Sequence, residues 1–320
     1  MPMPPEVVLI GAAIIDVVAP NVDRRVFESG SVPSEGLCMR TGGDAMNEAV
    51  VLAELGRGVR LVSRLGQDMA GDMILQVCDR HKIDTSAVVR APLDTGVNIV
   101  LVEPNGERSF VTNPRGSLRA LEPEDVFSAI EAPDFAKARA VCFASVFAYP
   151  RLMPALEEIF RRIKEKGPTL LVDMTKRKNE ERLSDIAPAL RYADYIFPNL
   201  DEIRLLTGED DARCNAAMLL DCGVKNAVIK LGKRGCLIKN ASMEAVVPAV
   251  EGIEAVDSTG AGDNFAAGFI DALLDGANLT DCARWANATA SVCVQQVGAT
   301  SGPRDRAVIA ARAQSIPRSI

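Results

Sequence analysis

Residues 140–144 (Ala-Val-Cys-Phe-Ala), 170–173 (Leu-Leu-Val-Asp), 195–197 (Tyr-Ile-Phe) and 227–231 (Ala-Val-Ile-Lys-Leu) are short runs of strand length, separated by helical spacing near 151–166, 182–190 and 200–221. Strands that alternate with helices in this way make βαβ units, a parallel sheet covered on both faces. Working outward, Val7 to Ala12 reads as a buried strand, and Asp44 to Leu55 as a helix closed by Gly56. Val59 to Ser63 is the next strand, Ala70 to Arg80 a further helix, and two long helices, about 261–275 and 280–295, close the fold. Two extended stretches, about 14–40 and 97–112, do not fit this alternation. In the second, Val97 to Glu103 and Arg108 to Thr112 are joined through Pro104-Asn105-Gly106, whose Asn-Gly is a hairpin signal. The expected fold is α/β, one domain over 1–320 with a mostly parallel central sheet, helices on both faces, and those two stretches as a small β lid.

The chain has 320 residues, 48% hydrophobic and 25% charged, as in folded soluble proteins. Lys plus Arg is 36 against 43 Asp plus Glu, a net charge of -7 that repels a phosphate backbone, so nucleic acid is not an expected partner. The longest apolar stretches, Val7 to Ile15 and Ala138 to Tyr149, fall short of the roughly 20 residues that span a bilayer. No membrane contact is expected. No basic residue precedes Glu6, so a cleaved signal peptide is not expected either, and the reading is a cytoplasmic protein. The eight cysteines include no C-x-x-C pair and read as reduced core thiols. His81, the only histidine, lies in the polar stretch Asp79-Arg80-His81-Lys82, which excludes a Ser-His-Asp triad and a multi-histidine metal site. A general base should therefore be a carboxylate, and a metal a hard cation bound through oxygen.

Four stretches could carry chemistry. Asp257-Ser258-Thr259-Gly260-Ala261-Gly262-Asp263-Asn264-Phe265 sets two glycines before a helix, where free N–H groups and the helix dipole favour an anion, with Asp263 beside that cradle as a candidate base. Read alone, the glycines could equally shape a turn and Asp263 complement the dipole. Gly42-Gly43-Asp44-Ala45-Met46-Asn47 opens another helix, with Asn47 able to donate to and accept from a polyol. Asn199-Leu200-Asp201-Glu202 follows a strand end, where α/β sheets bind their ligands. Lys230-Leu231-Gly232-Lys233-Arg234-Gly235 contains Gly-Lys, but Arg234 stands where a P-loop needs Ser or Thr. It is not a Walker A loop, and the Rossmann fingerprint is absent too.

Together and in this order the motifs resemble the ribokinase-like (PfkB) family of carbohydrate and nucleoside kinases. One family signature is matched by Gly42, Gly43, Ala45, Asn47, Ala49, Gly56 and Gly66, and the other by Asp257, Ser258, Gly260 to Asp263, Ala267, Gly268 and Phe269. Gly11 and Asp16 fit as well, and the resemblance runs from about residue 7 to 303. It implies ATP-dependent phosphotransfer to a primary hydroxyl of a small neutral sugar. Asp263 would be the base, and the amides of Gly260, Ala261 and Gly262 an anion hole for the phosphoryl group. Asp16, Gly42, Gly43 and Asn47 would hold the sugar beneath the lid. Asn199 and Glu202 match an Asn-x-x-Glu motif that organises Mg²⁺ and the ATP phosphates. Lys230, Gly232 and Gly235 would border the nucleotide, and Asn287 would lie near the adenine. Asp257 and the Thr259 carbonyl would be first ligands of a K⁺ ion, with the loop 293–302 supplying the rest. Lid-to-lid pairing in this family implies a homodimer.

The departures concern substrate. Asp44 puts a carboxylate beside the sugar-binding glycines, which disfavours an acidic or phosphorylated sugar unless Arg40, Arg108 or Arg115 compensates. Ser145 to Ala148 lacks the acidic residue that ribokinases place there. Two alternatives remain. A nucleoside kinase would need an aromatic wall, for which Phe27, Phe110, Phe143, Phe147 and Tyr149 are available. A sugar-sensing regulator without catalysis would have no need of Asp263.

Overall fold

The computed structural model describes residues 4–23, 25–103, 108–301 and 304–318. The Pro104-Asn105-Gly106 turn lies outside the described residues. The strands, in chain order, are β1 (Val7–Ile10), β2 (Ile14–Pro20), β3 (Cys38–Gly42), β4 (Val59–Gly66), β5 (Asp84–Ala91), β6 (Val97–Val102) and β7 (Arg108–Thr112). They continue with β8 (Ala140–Val146), β9 (Thr169–Met174), β10 (Tyr195–Phe197), β11 (Asn226–Lys230), β12 (Cys236–Asn240) and β13 (Glu244–Val247).

β1 shows why the fold has two covered faces. Val7 and Leu9 enter one apolar layer and Val8 and Ile10 the other, as a period of two requires. The first layer is completed by the helices Asp44–Glu54, Met69–Arg80, Ala261–Leu274, Leu279–Cys293 and Arg306–Ser315. The second takes Pro123–Ile130, Leu156–Lys166, Leu183–Leu190, Leu200–Thr207 and Ala212–Asp221. A strand buried on both faces has no polar positions to alternate, which is why β1, β8 and β9 read as unbroken apolar runs. The nine-stranded sheet runs β13-β12-β11-β10-β9-β8-β1-β4-β5. Every neighbouring pair from β11 to β5 is parallel, while β12 and β13 add antiparallel at one edge.

The two stretches that broke the alternation form a separate four-stranded sheet, β3-β2-β6-β7. In it β2 lies parallel to β6, and the outer strands are antiparallel. Three expectations need correction. The helical stretch 200–221 is two helices, because Gly208 turns left-handed (φ 75°) and Asp211 caps a new start through the amides of Arg213 and Cys214. β5, β12 and β13 extend the large sheet at both edges; β5 and β13 are half-exposed, and the buried run of β12 is only Cys236 to Ile238, too short to stand out. A third helix, Arg306–Ser315, follows the two long ones and buries only Ile309 and Ala313, too thin a stripe to read. Among the described residues no helix is long and apolar enough to cross a membrane. All eight cysteines are free, five of them buried.

One contact ties the ends of two central strands together. Ser145 (φ 62°) and Phe147 (φ 80°) adopt left-handed backbone, which turns the chain after β8. Tyr149 thereby returns to β1, where its buried hydroxyl accepts from the Ala12 amide at 2.7 Å. Removing that acceptor strands a buried N–H, at a cost of about 1–3 kcal/mol. Urea unfolding of Tyr149→Phe should show a loss in this range with an unchanged slope.

Candidate active site

The carboxyl ends of the parallel strands β1, β8, β9, β10 and β11 open on one edge of the sheet, the place where α/β folds bind ligands. The helix Ala261–Leu274 starts there. Gly260 (φ 71°) begins it in left-handed backbone, and a Cβ on it would stand 2.2 Å from the Ala299 Cβ, so only glycine fits. Asn264, fully buried, donates to the carbonyls of Gly260 and Ala299 at 2.8 Å each and accepts from Arg304 Nε at 3.0 Å. Arg304 also donates to Ser301 O and Ala299 O. The loop 298–301 is thus fastened to the helix start. Asp257 fastens it from the other side, accepting from Thr259 N at 2.7 Å and Gly298 N at 2.8 Å. First-turn amides of a helix lack intrahelical acceptors and lie at the positive end of its dipole. Of the three amides expected in the anion hole, that of Ala261 is engaged in the turn, donating to Ser258 O at 3.2 Å.

Asp263, in this first turn, meets a residue 216 positions away: Asn47 Nδ2 donates to Asp263 Oδ2 at 2.7 Å. The buried Asn47 Oδ1 has no hydrogen-bond partner, an acceptor for a ligand hydroxyl. Asp16, on β2, accepts from Asn98 Nδ2 at 3.0 Å and lies so close to Gly42 that a Cβ there would sit 2.2 Å from Asp16 Oδ2. Arg40, the cross-strand partner of Asp16, donates to Val297 O and Ser301 Oγ, joining the small sheet to the loop beside the helix start.

Asn199 and Glu202 form a reciprocal cap on the helix Leu200–Thr207. Asn199 Oδ1 accepts from Glu202 N at 2.9 Å, and Glu202 Oε2 accepts from Asn199 N at 2.8 Å. Lys230, the last residue of β11, reaches Asp173 near the end of β9 at 2.8 Å. Asp173 was not singled out from the sequence. It closes the apolar run Leu170–Val172 at a strand's carboxyl end, and that position is the signal that could have found it. Gly232, Gly235 and Asn287 stand apart from this cluster. The Gly235 amide donates to Gly232 O, and Asn287 Nδ2 donates to Val247 O at 3.2 Å and Pro248 O at 3.0 Å, at the end of β13.

The cluster is rich in carboxylates and largely withdrawn from the surface. Burial pushes Asp263 up to about 6; the Asn47 hydrogen bond and Lys230 oppose this, and Asp173 and Glu202 add to it. Burial likewise raises Glu202 to about 7. Asp44 is held well above the usual carboxylate range, first by desolvation and then by Asp263 and Asp173. The cations that favour its ionised form are Lys230 and Lys178. Glu48, one turn further along, is fully buried and raised for the same reasons. Burial works against the charge on Lys230, yet Asp173 and Glu202 outweigh it and hold the ammonium protonated above its ordinary range.

Residues 4–306 match the family described as pfkB family carbohydrate kinase. The chain belongs to that family. It is 28% identical over 274 residues to deoxyribokinase of Salmonella typhi, covering 81% of this chain and 83% of that one. Similarity to ribokinase of Staphylococcus aureus is 29% over 270 residues, with the same coverage. Among solved structures, Arabidopsis thaliana ribokinase complexed with ribose and ATP superposes with a TM-score of 0.82 at 23% identity, over 98% of this chain and 99% of that one. The likeness in fold extends to the large sheet and the separate small one. The protein is a carbohydrate kinase.

Within the cluster, Asn47 stabilises ionised Asp263 by donating to it. Asn47→Ala should therefore move the Asp263 carboxyl above about 6, followed by NMR titration of side-chain-labelled aspartate. An unchanged value would show that the bond does not persist in solution.

Proposed function

We propose that the protein transfers the terminal phosphoryl group of ATP to a primary hydroxyl of a small neutral pentose or hexose, with Asp263 as the general base. The observation that carries this is the Asn47–Asp263 hydrogen bond, which sets a polyol-binding amide against a carboxylate in the first turn of a glycine-led helix. Asp263 takes the hydroxyl proton, and the amides of Gly260 and Gly262 receive the phosphoryl oxygens at the positive end of the dipole. Ala261 joins them when its turn bond to Ser258 opens. Asp16, Gly42, Gly43 and Asn47 hold the remaining hydroxyls, and the small sheet closes over them as a lid that excludes water.

The nucleotide lies along Asn199, Lys230, Gly232 and Gly235, with its adenine toward Asn287. Mg²⁺ fits this donor set: Glu202 is a desolvated carboxylate beside a phosphate cradle. Among the described residues no three acidic or sulfur or histidine ligands converge as a metal cage. Glu202 and Asn199 would be the ion's protein contacts, with phosphates and water completing the shell. The ion would neutralise phosphate charge. For K⁺ the fit is weaker. Asp257 already accepts two amides, and the loop carbonyls of Val297, Ala299 and Ser301 accept from Arg40 and Arg304.

A sugar is favoured over a nucleoside because three of the five candidate aromatics, Phe143, Phe147 and Tyr149, are buried in the core. Phe27 and Phe110 alone of the five are exposed. A regulator without catalysis leaves the raised Asp263 without a use. Coupled ADP release over a panel of sugars, sugar acids, sugar phosphates and nucleosides should show turnover with neutral sugars, and turnover confined to nucleosides would reverse the choice. Positioned general-base catalysis is worth roughly 10²- to 10⁴-fold, so Asp263→Asn should lose about that much kcat with sugar affinity changed far less. In the unmodified enzyme kcat should rise with pH through about 6, as Asp263 ionises. A folded Asp263→Asn that keeps more than about a tenth of kcat would reduce Asp263 to a helix cap.

The lid also offers an interface. Met39, Val17, Ile99 and Val111 are register partners in one row across the small sheet, on the face opposite Asp16, and Met39, Ile99 and Val111 are exposed. An apolar row of this kind suits a second copy of the chain. Sedimentation at micromolar concentration should show a dimer, and Ile99→Lys should dissociate it.

A further inference from the structure

We propose that Lys230 and Asp173 form a phosphoryl clamp, in which the Lys230 ammonium takes oxygens of the phosphoryl group in flight above Gly262 and Asp173 is the positioning residue that aims it. The proposal rests on the kinase reading of Asp263 and goes beyond it by moving Lys230 from the nucleotide's border to the reacting phosphate.

Three observations place the ammonium. β10 is only three residues long and lies between β9 and β11, so the side chain of Lys230 crosses its end, where Lys230 N donates to Pro198 O at 2.8 Å. Its Nζ then straddles the Asp173 carboxylate, at 2.8 Å from Oδ1 and 3.1 Å from Oδ2. Asp173 is itself fixed, since Oδ1 also accepts from Met174 N at 2.7 Å. Finally, a Cβ built on Gly262 would lie 3.2 Å from Nζ, so the ammonium rests against the first turn of the helix that carries Asp263. An ammonium has three donors. Two oxygens of Asp173 leave one for the space over Gly262.

The acids whose charge acts on Lys230 are Asp173, Glu202 from the helix Leu200–Thr207 and Asp263 from the same helix turn, and Lys230 acts in turn on Asp44. Lys230, its side chain 12% exposed, is thus a largely covered cation among acids. Stability alone does not call for the pair, because a buried ion pair can often be replaced by apolar residues at no loss. In the transfer, the terminal phosphorus of ATP bonds to the sugar oxygen as its bond to the bridging oxygen breaks. The electron pair of that bond leaves with ADP, and the hydroxyl proton passes to Asp263. Charge spreads over the three equatorial oxygens and grows on the leaving oxygen, and a prefixed ammonium stabilises it without reorganisation.

The test uses the full-length enzyme with a sugar it phosphorylates. Lys230→Met should lower kcat by about 10²- to 10³-fold, the range for removing one preorganised donor, with sugar affinity by calorimetry unchanged. Inhibition by ADP with aluminium fluoride, which mimics the phosphoryl group in flight, should be lost with it. Lys230→Arg should recover part of both, and Asp173→Asn should fall between. The double variant Lys230→Met/Asp173→Leu replaces the pair by apolar groups, so it should fold and be as slow as Lys230→Met. A folded single or double variant that keeps more than about a tenth of kcat and its fluoride inhibition would overturn the clamp. If the unmodified enzyme releases ADP with none of the sugars, the kinase reading itself has failed, and that is seen before any variant is made.

Discussion

Like charge is what the strand-end edge has to manage. Parallel strands all deliver their carboxyl ends to one side of the sheet, and here Asp173, Asn199 and Lys230 arrive there together, with Asp44 and Asp263 added from two helix starts. Two carboxylates at 4 Å repel by about 4 kcal/mol at an effective dielectric of 20. A cluster of them therefore ionises in part only, unless a cation lies among them. Lys230 is that cation, in direct contact with Asp173. Burial raises Asp173 while the ammonium opposes that rise, whereas Asp44 and Glu48 are pushed well above the usual carboxylate range, first by desolvation.

Holding such a cluster in place needs support that carries no charge change of its own. Asn264 and Arg304 supply it by pairing a fully buried amide with a guanidinium that also collects the carbonyls of Ala299 and Ser301. Because a half-satisfied buried network costs more than an apolar one, the loop and the helix start form one unit. The small sheet is joined to it through Arg40.

The architecture was legible because strands buried on both faces cannot hide: β1, β8, β9 and β11 are apolar runs with no other reading once helical spacing lies between them. What escaped has the opposite character. The edge strand β5 and the helix Arg306–Ser315 bury few side chains, and the break at Gly208 leaves the apolar spacing of both flanking helices intact. At the site, the glycine-led starts of two helices were visible in Gly42-Gly43 and Gly260-Ala261-Gly262. The resemblance placed Asn47 at the sugar and Asp263 at the phosphoryl group, but their direct contact was not legible in any local pattern, since 216 residues separate them. Asp173 and Asn264 were invisible for a different reason: a single Asp after an apolar run, or one Asn in a helix, has many uses, and only the partner across the sheet selects one.

The net charge of -7 raises a last question, because ATP is itself a polyanion. The formal count overstates the charge at the strand-end cluster, where the proposed reading places the phosphates. Asp44 and Glu48 are shifted toward the neutral form, and Glu202, raised to about 7, is half protonated near neutral pH. Against this reduced charge stand the positive end of a helix dipole at Gly260 to Asp263, worth up to about 2 kcal/mol toward an anion in a partly buried setting, and a lysine held protonated above its ordinary range. The acids that remain ionised are close to the ammonium, where each also keeps it charged. Attraction for phosphate is therefore built locally, against the sign of the whole molecule. On the proposed reading the same arrangement would disfavour a substrate that brings a second negative group to Asp44, since such a group would meet a carboxylate that has to stay protonated to tolerate it.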